Sequence, residues 1–140
     1  MIVLDTSGIL ASKDESHPQH AAVATVITTG YEDLLLSPFV LAEADYLLAQ
    51  RLGHDAARDL LDDVSAEAYE LVDFDAGDVR SAKGVIDRYA DLHIGIADAS
   101  LVVIAGRYET TRLLTFDQRH FRAIAPLWGA PAFTLLPTDS

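Results

Sequence analysis

Short apolar blocks punctuate the chain and alternate with longer stretches of helical periodicity. Met1–Leu4 is apolar and stops at Asp5, which predicts a buried strand. Thr6–Ser12 can open a helix with Asp5 or Thr6 as its cap. Lys13–His17 is polar, and Pro18 then introduces a helix over Gln19–Thr29 that Gly30 closes. Asp33–Ser37 contains three consecutive leucines and reads as a second strand. Ser37-Pro38 is a cap followed by proline, so a helix should run from Phe39 to about Leu52 and stop at Gly53. His54–Ala66 is a further amphipathic helix, Tyr69–Val72 a third strand, and Asp75–Tyr89 a helix of alternating acids and bases. Gly95–Tyr108 is almost wholly apolar and predicts a helix buried on most sides. Arg112–Phe116 and Ala132–Leu136 supply a fourth and a fifth strand. Strands alternating with helices indicate the α/β class. The expected architecture is a single three-layer α/β/α domain over residues 1–136, with a mostly parallel, five-stranded sheet. Residues 137–140 are expected to form a loose tail.

Composition narrows this only slightly. A chain of 140 residues suits one domain and buries roughly two-thirds of its unfolded surface. Half the residues are apolar and 23% are charged, which fits a soluble globular chain. There is no cysteine, so a disulfide scaffold, a thiolate zinc site and a cysteine nucleophile are excluded. The start MIVLDTSG lacks a basic lead and a long apolar run, and the most apolar window, Ile94–Gly106, is short and carries Asp98. A cytoplasmic location with no membrane partner is expected.

Charge does change the picture. The formal net charge is −12, the opposite of a general nucleic-acid surface. Basic residues are absent between Asp14 and Gln50, whereas Arg107, Arg112, Arg119 and Arg122 crowd the C-terminal third. These arginines form either a local basic rim or a set of solvated and ion-paired side chains.

Four acids occupy positions that ask for an explanation: Asp5, Glu43, Asp98 and Asp117. Asp5 and Asp117 each follow a predicted strand, and ligands of open parallel sheets bind beyond the carboxyl ends of strands. Taken singly, each is also an ordinary cap or turn residue. Glu43 shares a helix face with Val40, Ala44 and Leu47, which places it on the apolar stripe and leaves Asp45 to solvent. Asp98 is flanked by Ile94, Leu101, Val102 and Ala105 near the start of the most apolar helix. The helix dipole there contributes about 1 kcal/mol, less than burying an unpaired charge costs. Two carboxylates about 4 Å apart repel by about 4 kcal/mol at an effective dielectric near 20. No base lies near Asp5 or Glu43 in sequence, so a cation is the economical counterion. Oxygen ligands without cysteine favour Mg²⁺ or Mn²⁺. Thr6, Ser7 and Thr115 are candidates for supporting hydrogen bonds. Such a cation binds phosphate oxygens and activates water, which points to phosphodiester hydrolysis.

These segments resemble the PIN-domain pattern. MIVLDTSGIL resembles the opening strand and acid, SPFVLAEADYLL the segment with the family glutamate, IADASLVVIA the third motif, and LLTFDQRHF the closing Thr-x-Asp. The four occur in order across nearly the whole chain. The length makes it similar to VapC-type toxins of toxin–antitoxin pairs. That resemblance implies a Mg²⁺- or Mn²⁺-dependent endoribonuclease that cuts structured RNA to inhibit translation. It also implies a homodimer and a cognate antitoxin. It places metal binding and catalysis on Asp5 and Asp98 first, then on Glu43 and Asp117 as ligands or as groups that position the attacking water.

Other residues carry weaker signals. His17, His20, His54, His93 and His120 form no ligand spacing, and His17 and His20 read as surface loop. Arg119 and His120 are placed in a loop that either meets RNA phosphate or is merely solvated. Trp128, between Pro126 and Pro131, reads as a packing anchor. Two competing functions remain. A non-catalytic scaffold with the same fold is opposed by four intact acids. A phosphotransferase of the aspartyl-phosphate type wants an acid where Ser7 stands and a lysine near the site, and only Lys13 and Lys83 exist.

Overall fold

A computed structural model describes all residues, 1–140. Five strands form one sheet: β1 (Ile2–Leu4), β2 (Leu34–Leu36), β3 (Glu70–Leu71), β4 (Arg112–Leu114) and β5 (Thr134–Leu136). Every pairing is parallel, and the spatial order is β3-β2-β1-β4-β5. Seven α-helices connect them: α1 (Thr6–Lys13), α2 (His20–Thr29), α3 (Pro38–Leu52), α4 (His54–Ser65), α5 (Ala76–Arg88), α6 (Ile96–Arg107) and α7 (Gln118–Phe121). A 3₁₀ turn at Ala90–Leu92 precedes α6.

The predicted elements all form, with ends displaced by one or two residues. The leucine run of β2 and the apolar β1 are fully internal because both their faces are covered. Residues Glu70 and Leu71 of β3 are exposed, and this edge strand is only two residues long, which limits pairing with other chains. Ser37 caps α3 as its sequence predicts, accepting the Phe39 N–H at 3.2 Å. With the strand order reversing after β3, the right-handed rule for parallel crossovers implies that α1–α4 cover one sheet face and α5 and α6 the other. In keeping with this, α1 packs on α2 and α3, and α5 packs on α6. Residues Ala99–Ala105 of α6 are all buried, as the unbroken apolar run requires. The core is one cluster of 32 residues. Trp128 anchors its loop by donating from Nε1 to the Thr110 carbonyl at 3.2 Å.

Two local results differ from expectation. The segment after Asp117 is not a loop but the short helix α7, with Asp117 as its N-cap. Residues 137–140, expected to be loose, are tied back through Asp139, whose carboxylate accepts the Leu135 N–H at 2.7 Å and two Arg122 N–H groups. The helices include none long and apolar enough to cross a membrane.

Strand order reverses direction between β1 and β4. The chain builds outward from β1 to β3, returns past β1 through α5 and α6, and then continues to β5. This reversal opens a crevice at the carboxyl ends of β1 and β4, where Asp5 and Asp117 emerge.

Candidate active site

Asp5 sits at the bottom of this crevice and is 6% exposed. Its Oδ1 accepts the Thr6 N–H at 2.8 Å, which caps α1. Its Oδ2 accepts the Thr115 hydroxyl at 2.6 Å and lies 3.4 Å from the Ser7 hydroxyl. Burial pushes its carboxyl above the ordinary range; the hydrogen bonds from Thr115 and Thr6 oppose this, and Asp117 and Glu43 add repulsion. The Thr115 hydroxyl also accepts the Asp117 N–H at 3.0 Å, so one side chain joins β1 to the turn after β4.

Asp98 lies in the first turn of α6. Its carboxyl is raised to about 6, first by burial and then by Asp5 and Asp117, with His120 opposing and Glu43 adding repulsion. The starts of α3 and α6 are tied by a buried pair, Ser37 Oγ to Ser100 Oγ at 2.7 Å. Ser100 in turn donates to the Ala97 carbonyl at 2.6 Å. Since the one hydroxyl hydrogen of Ser100 is committed to Ala97, hydrogen counting makes Ser37 the donor to Ser100. This chain fixes the two helices that carry Glu43 and Asp98.

Asp117 caps α7, its Oδ1 accepting the His120 N–H at 3.1 Å. The helical turn swings the His120 ring back over the acids. His120 Nδ1 lies 2.8 Å from Asp117 Oδ2 and 3.6 Å from Asp98 Oδ2. That nitrogen is buried yet makes no well-aligned hydrogen bond. Ligand atoms of Asp98, Asp117 and His120 all lie within 4.8 Å of one another. An orphaned nitrogen wedged between two carboxylates, beside a third buried one, is a donor set suited to a divalent cation. The residues therefore fit the expected group.

Glu43 departs from expectation. It is exposed, because the buried line of α3 is Val40, Ala44 and Leu48 and Glu43 lies beside that line rather than on it. Asp45, expected in solvent, is the half-buried acid. Glu43 nonetheless stands near enough for its charge to raise both Asp5 and Asp98. It is a rim group of the cluster and not a buried one.

His120 is the site residue that sequence spacing did not single out. Its signal is local: a histidine three residues after an N-capping Asp returns to that Asp on the helix. The C-terminal arginines also resolve. Arg107 pairs with Asp78, Arg112 with Glu32 and Arg122 with Asp139, which leaves Arg119 alone among them without an ion pair.

A parallel sheet with this strand order, and the cluster of Asp98, Asp117 and His120 beside the buried Asp5 at its reversal point, define the class. The chain belongs to the PIN-domain family, which matches residues 2–126. Within it the chain is similar to VapC ribonucleases: it is 43% identical to ribonuclease VapC26 of Mycobacterium tuberculosis, over 97% of this chain and 100% of that protein. Its fold is similar to the crystal structure of Mycobacterium tuberculosis VapC20, described as a sarcin-ricin loop cleaving toxin. The TM-score is 0.77 and the identity 20%, covering 84% of this chain and 90% of that one. VapBC2 from Rickettsia felis, bound to a DNA fragment from its promoter, gives a TM-score of 0.66 at 20% identity, over 91% and 96% of the two chains.

Proposed function

We propose that the crevice between β1 and β4 is the active centre of a VapC-type endoribonuclease, the toxin of a toxin–antitoxin pair, which cuts structured RNA. The chain is a PIN-domain nuclease, and the ribonuclease at 43% identity spans it almost completely. The observation that carries the site is the convergence of Asp98, Asp117 and His120 beside the buried Asp5.

Asp5, Asp98 and Asp117 would hold a divalent cation, with His120 Nδ1 as a further donor. Carboxylates suit Mg²⁺ and Mn²⁺, and the imidazole tilts the preference to Mn²⁺. When bound, the cation supplies a water of lowered pKa and neutralises charge developing on the phosphate. Thr115 orients Asp5, and Thr115 and the α7 cap orient Asp117. Glu43, exposed on the rim, is free to orient the attacking water and take its proton. The negative cluster repels RNA until a cation is loaded, which reconciles a net charge of −12 with an RNA substrate. Structural relatives described as VapBC complexes support an antitoxin partner. A homodimer and a cytoplasmic location complete the reading.

The test is cleavage of total cellular RNA by the purified chain with Mn²⁺, with EDTA, and as Asp98→Asn. Cleavage that requires Mn²⁺ and Asp98 supports the assignment. Absence of cleavage under all three conditions defeats it in favour of a scaffold.

A further inference from the structure

A cavity of about 180 Å³ opens beside the carboxylates. Ser7, Leu10, Asp14, His17, Arg51 and Phe116 line it. Ser7 joins it to the site: its hydroxyl lies 3.4 Å from Asp5 Oδ2 and accepts the Phe116 N–H at 3.0 Å. Asp14, His17 and Arg51 have no part in the cation cluster, yet each presents an unused polar group here.

The walls are aromatic. The His17 and Phe116 rings stand 5.4 Å apart, tilted by 33°. Such faces stack on unpaired bases in single-strand binders. His17 Nδ1 accepts the Gln19 N–H at 3.0 Å, so the neutral ring carries its proton on Nε2 and offers a donor. Asp14 Oδ1 is taken by the backbone N–H and hydroxyl of Ser16, at 3.0 and 2.6 Å. Its Oδ2 has no protein donor. Arg51, in the last turn of α3, makes no ion pair although acids outnumber bases in this chain by 22 to 10.

A guanidinium fork, a free carboxylate oxygen and an aromatic wall form a pattern that discriminates among bases. The fork matches the adjacent O6 and N7 acceptors of guanine. The next atom round that ring, N1–H, is a donor suited to a carboxylate. Adenine sets an amino donor beside N7 and opposes the fork. We infer that this cavity is a subsite for one unpaired guanine beside the scissile phosphate. Arg51 takes its O6/N7 edge, Asp14 its N1–H, and Phe116 or His17 its face. The inference rests on the ribonuclease reading and deepens it by naming a base.

Two measurements separate the inference from that reading. In the first, GMP, AMP, CMP, UMP and inorganic phosphate are titrated into the ¹⁵N-labelled full chain without metal. GMP should move the amides of Ser7, Asp14, His17 and Phe116 and bind at least about tenfold tighter than AMP. Arg51→Lys keeps the charge but loses the fork, so it should lose that selectivity. Equal responses to the four nucleotides, or the same shifts with phosphate alone, overturn the subsite. In the second, the Mn²⁺-loaded chain cuts RNA of random sequence and the ends are sequenced. Guanine should recur at one fixed position from the cut, and Arg51→Ala or Asp14→Ala should flatten that bias. Cleavage without base bias overturns the subsite and leaves the nuclease standing. Absence of cleavage defeats the nuclease reading, and GMP selectivity still decides the cavity.

Discussion

Thr115 Oγ1 donates to Asp5 Oδ2 at 2.6 Å, and the same oxygen accepts the Asp117 N–H at 3.0 Å. One hydroxyl thus sets two of the acids, and it is the physical content of the Thr-x-Asp motif. Thr115→Val keeps the shape and removes both bonds. It should cost on the order of 1–2 kcal/mol of stability, since a buried carboxylate and an N–H lose a partner. Asp5 should titrate still higher, and Mn²⁺ affinity should fall by about 10–100-fold. Thr115→Ser should restore both. Calorimetric Mn²⁺ titration and urea unfolding of the three proteins check this.

Asp98→Asn separates stability from activity. The ionised Asp98 is held against burial and against the charges of Asp5 and Asp117. Without metal, the asparagine variant should be more stable than the wild type at pH 7, by on the order of 1–2 kcal/mol after allowance for partial solvent access. It should also lose Mn²⁺-dependent cleavage. Free Mn²⁺ at ten times its Kd should stabilise the wild type by about 1.4 kcal/mol and raise the midpoint by about 4 °C. The variant should respond much less. Thermal unfolding with EDTA and with Mn²⁺ measures both effects, and a variant less stable than wild type without metal would contradict the repulsion argument.

Stability should also fall as pH rises across the site's range. Asp98 binds its proton more tightly folded, at about 6, than at its ordinary 3.8. Between those values the folded state carries more protons than the unfolded one, so this group's contribution declines with rising pH. The cost is absent below about 3.8, grows from there to about 6, and is fully present above. Asp5, also raised, acts in the same direction. The metal-free wild type should therefore show a stability loss from pH 4.5 to pH 7 that is smaller in Asp98→Asn. Mn²⁺ binding competes with these protons, so its stabilisation should be larger at pH 7 than at pH 5.

The frame of this site is legible in the sequence because it depends on local rules. Apolar blocks that stop at Asp5 and just before Asp117 mark strand ends, and Ser37-Pro38 marks the start of α3. Asp98 is also legible, because an acid in the unbroken apolar run of α6 has few ways to be satisfied. Glu43 is less so. A spacing of three or four from Val40 and Leu47 places a residue near a stripe but does not say which side of its edge it falls on. The buried line turns out to be Val40, Ala44 and Leu48. His120 escapes because α7 is four residues long, too short for any periodicity to show. Its role depends on Asp98 arriving from another element, which sequence spacing does not contain.

Gly8 supplies a last test of how the site is held. It lies in α1, and a Cβ there would come within 2.7 Å of both the Leu114 carbonyl oxygen and the Leu114 Cγ. The first of these is backbone and cannot rotate away. That same carbonyl accepts the Asp5 N–H at 3.0 Å. Gly8→Ala therefore forces α1 away from β4 at the point where Asp5 is fixed. The added methyl would favour the helix by about 1 kcal/mol in an open position, but the overpacking costs about 1–3 kcal/mol or more. The net change should be destabilising. Because the displacement falls on α1, Mn²⁺ affinity should drop along with stability. Gly84→Ala, on α5 with no atom within 4 Å of the new Cβ, is the control and should be neutral or stabilising. Urea unfolding of both variants, with Mn²⁺ titration of the folded protein, measures the contrast. Equal stability of the two would show that α1 does not bear on β4 as closely as described.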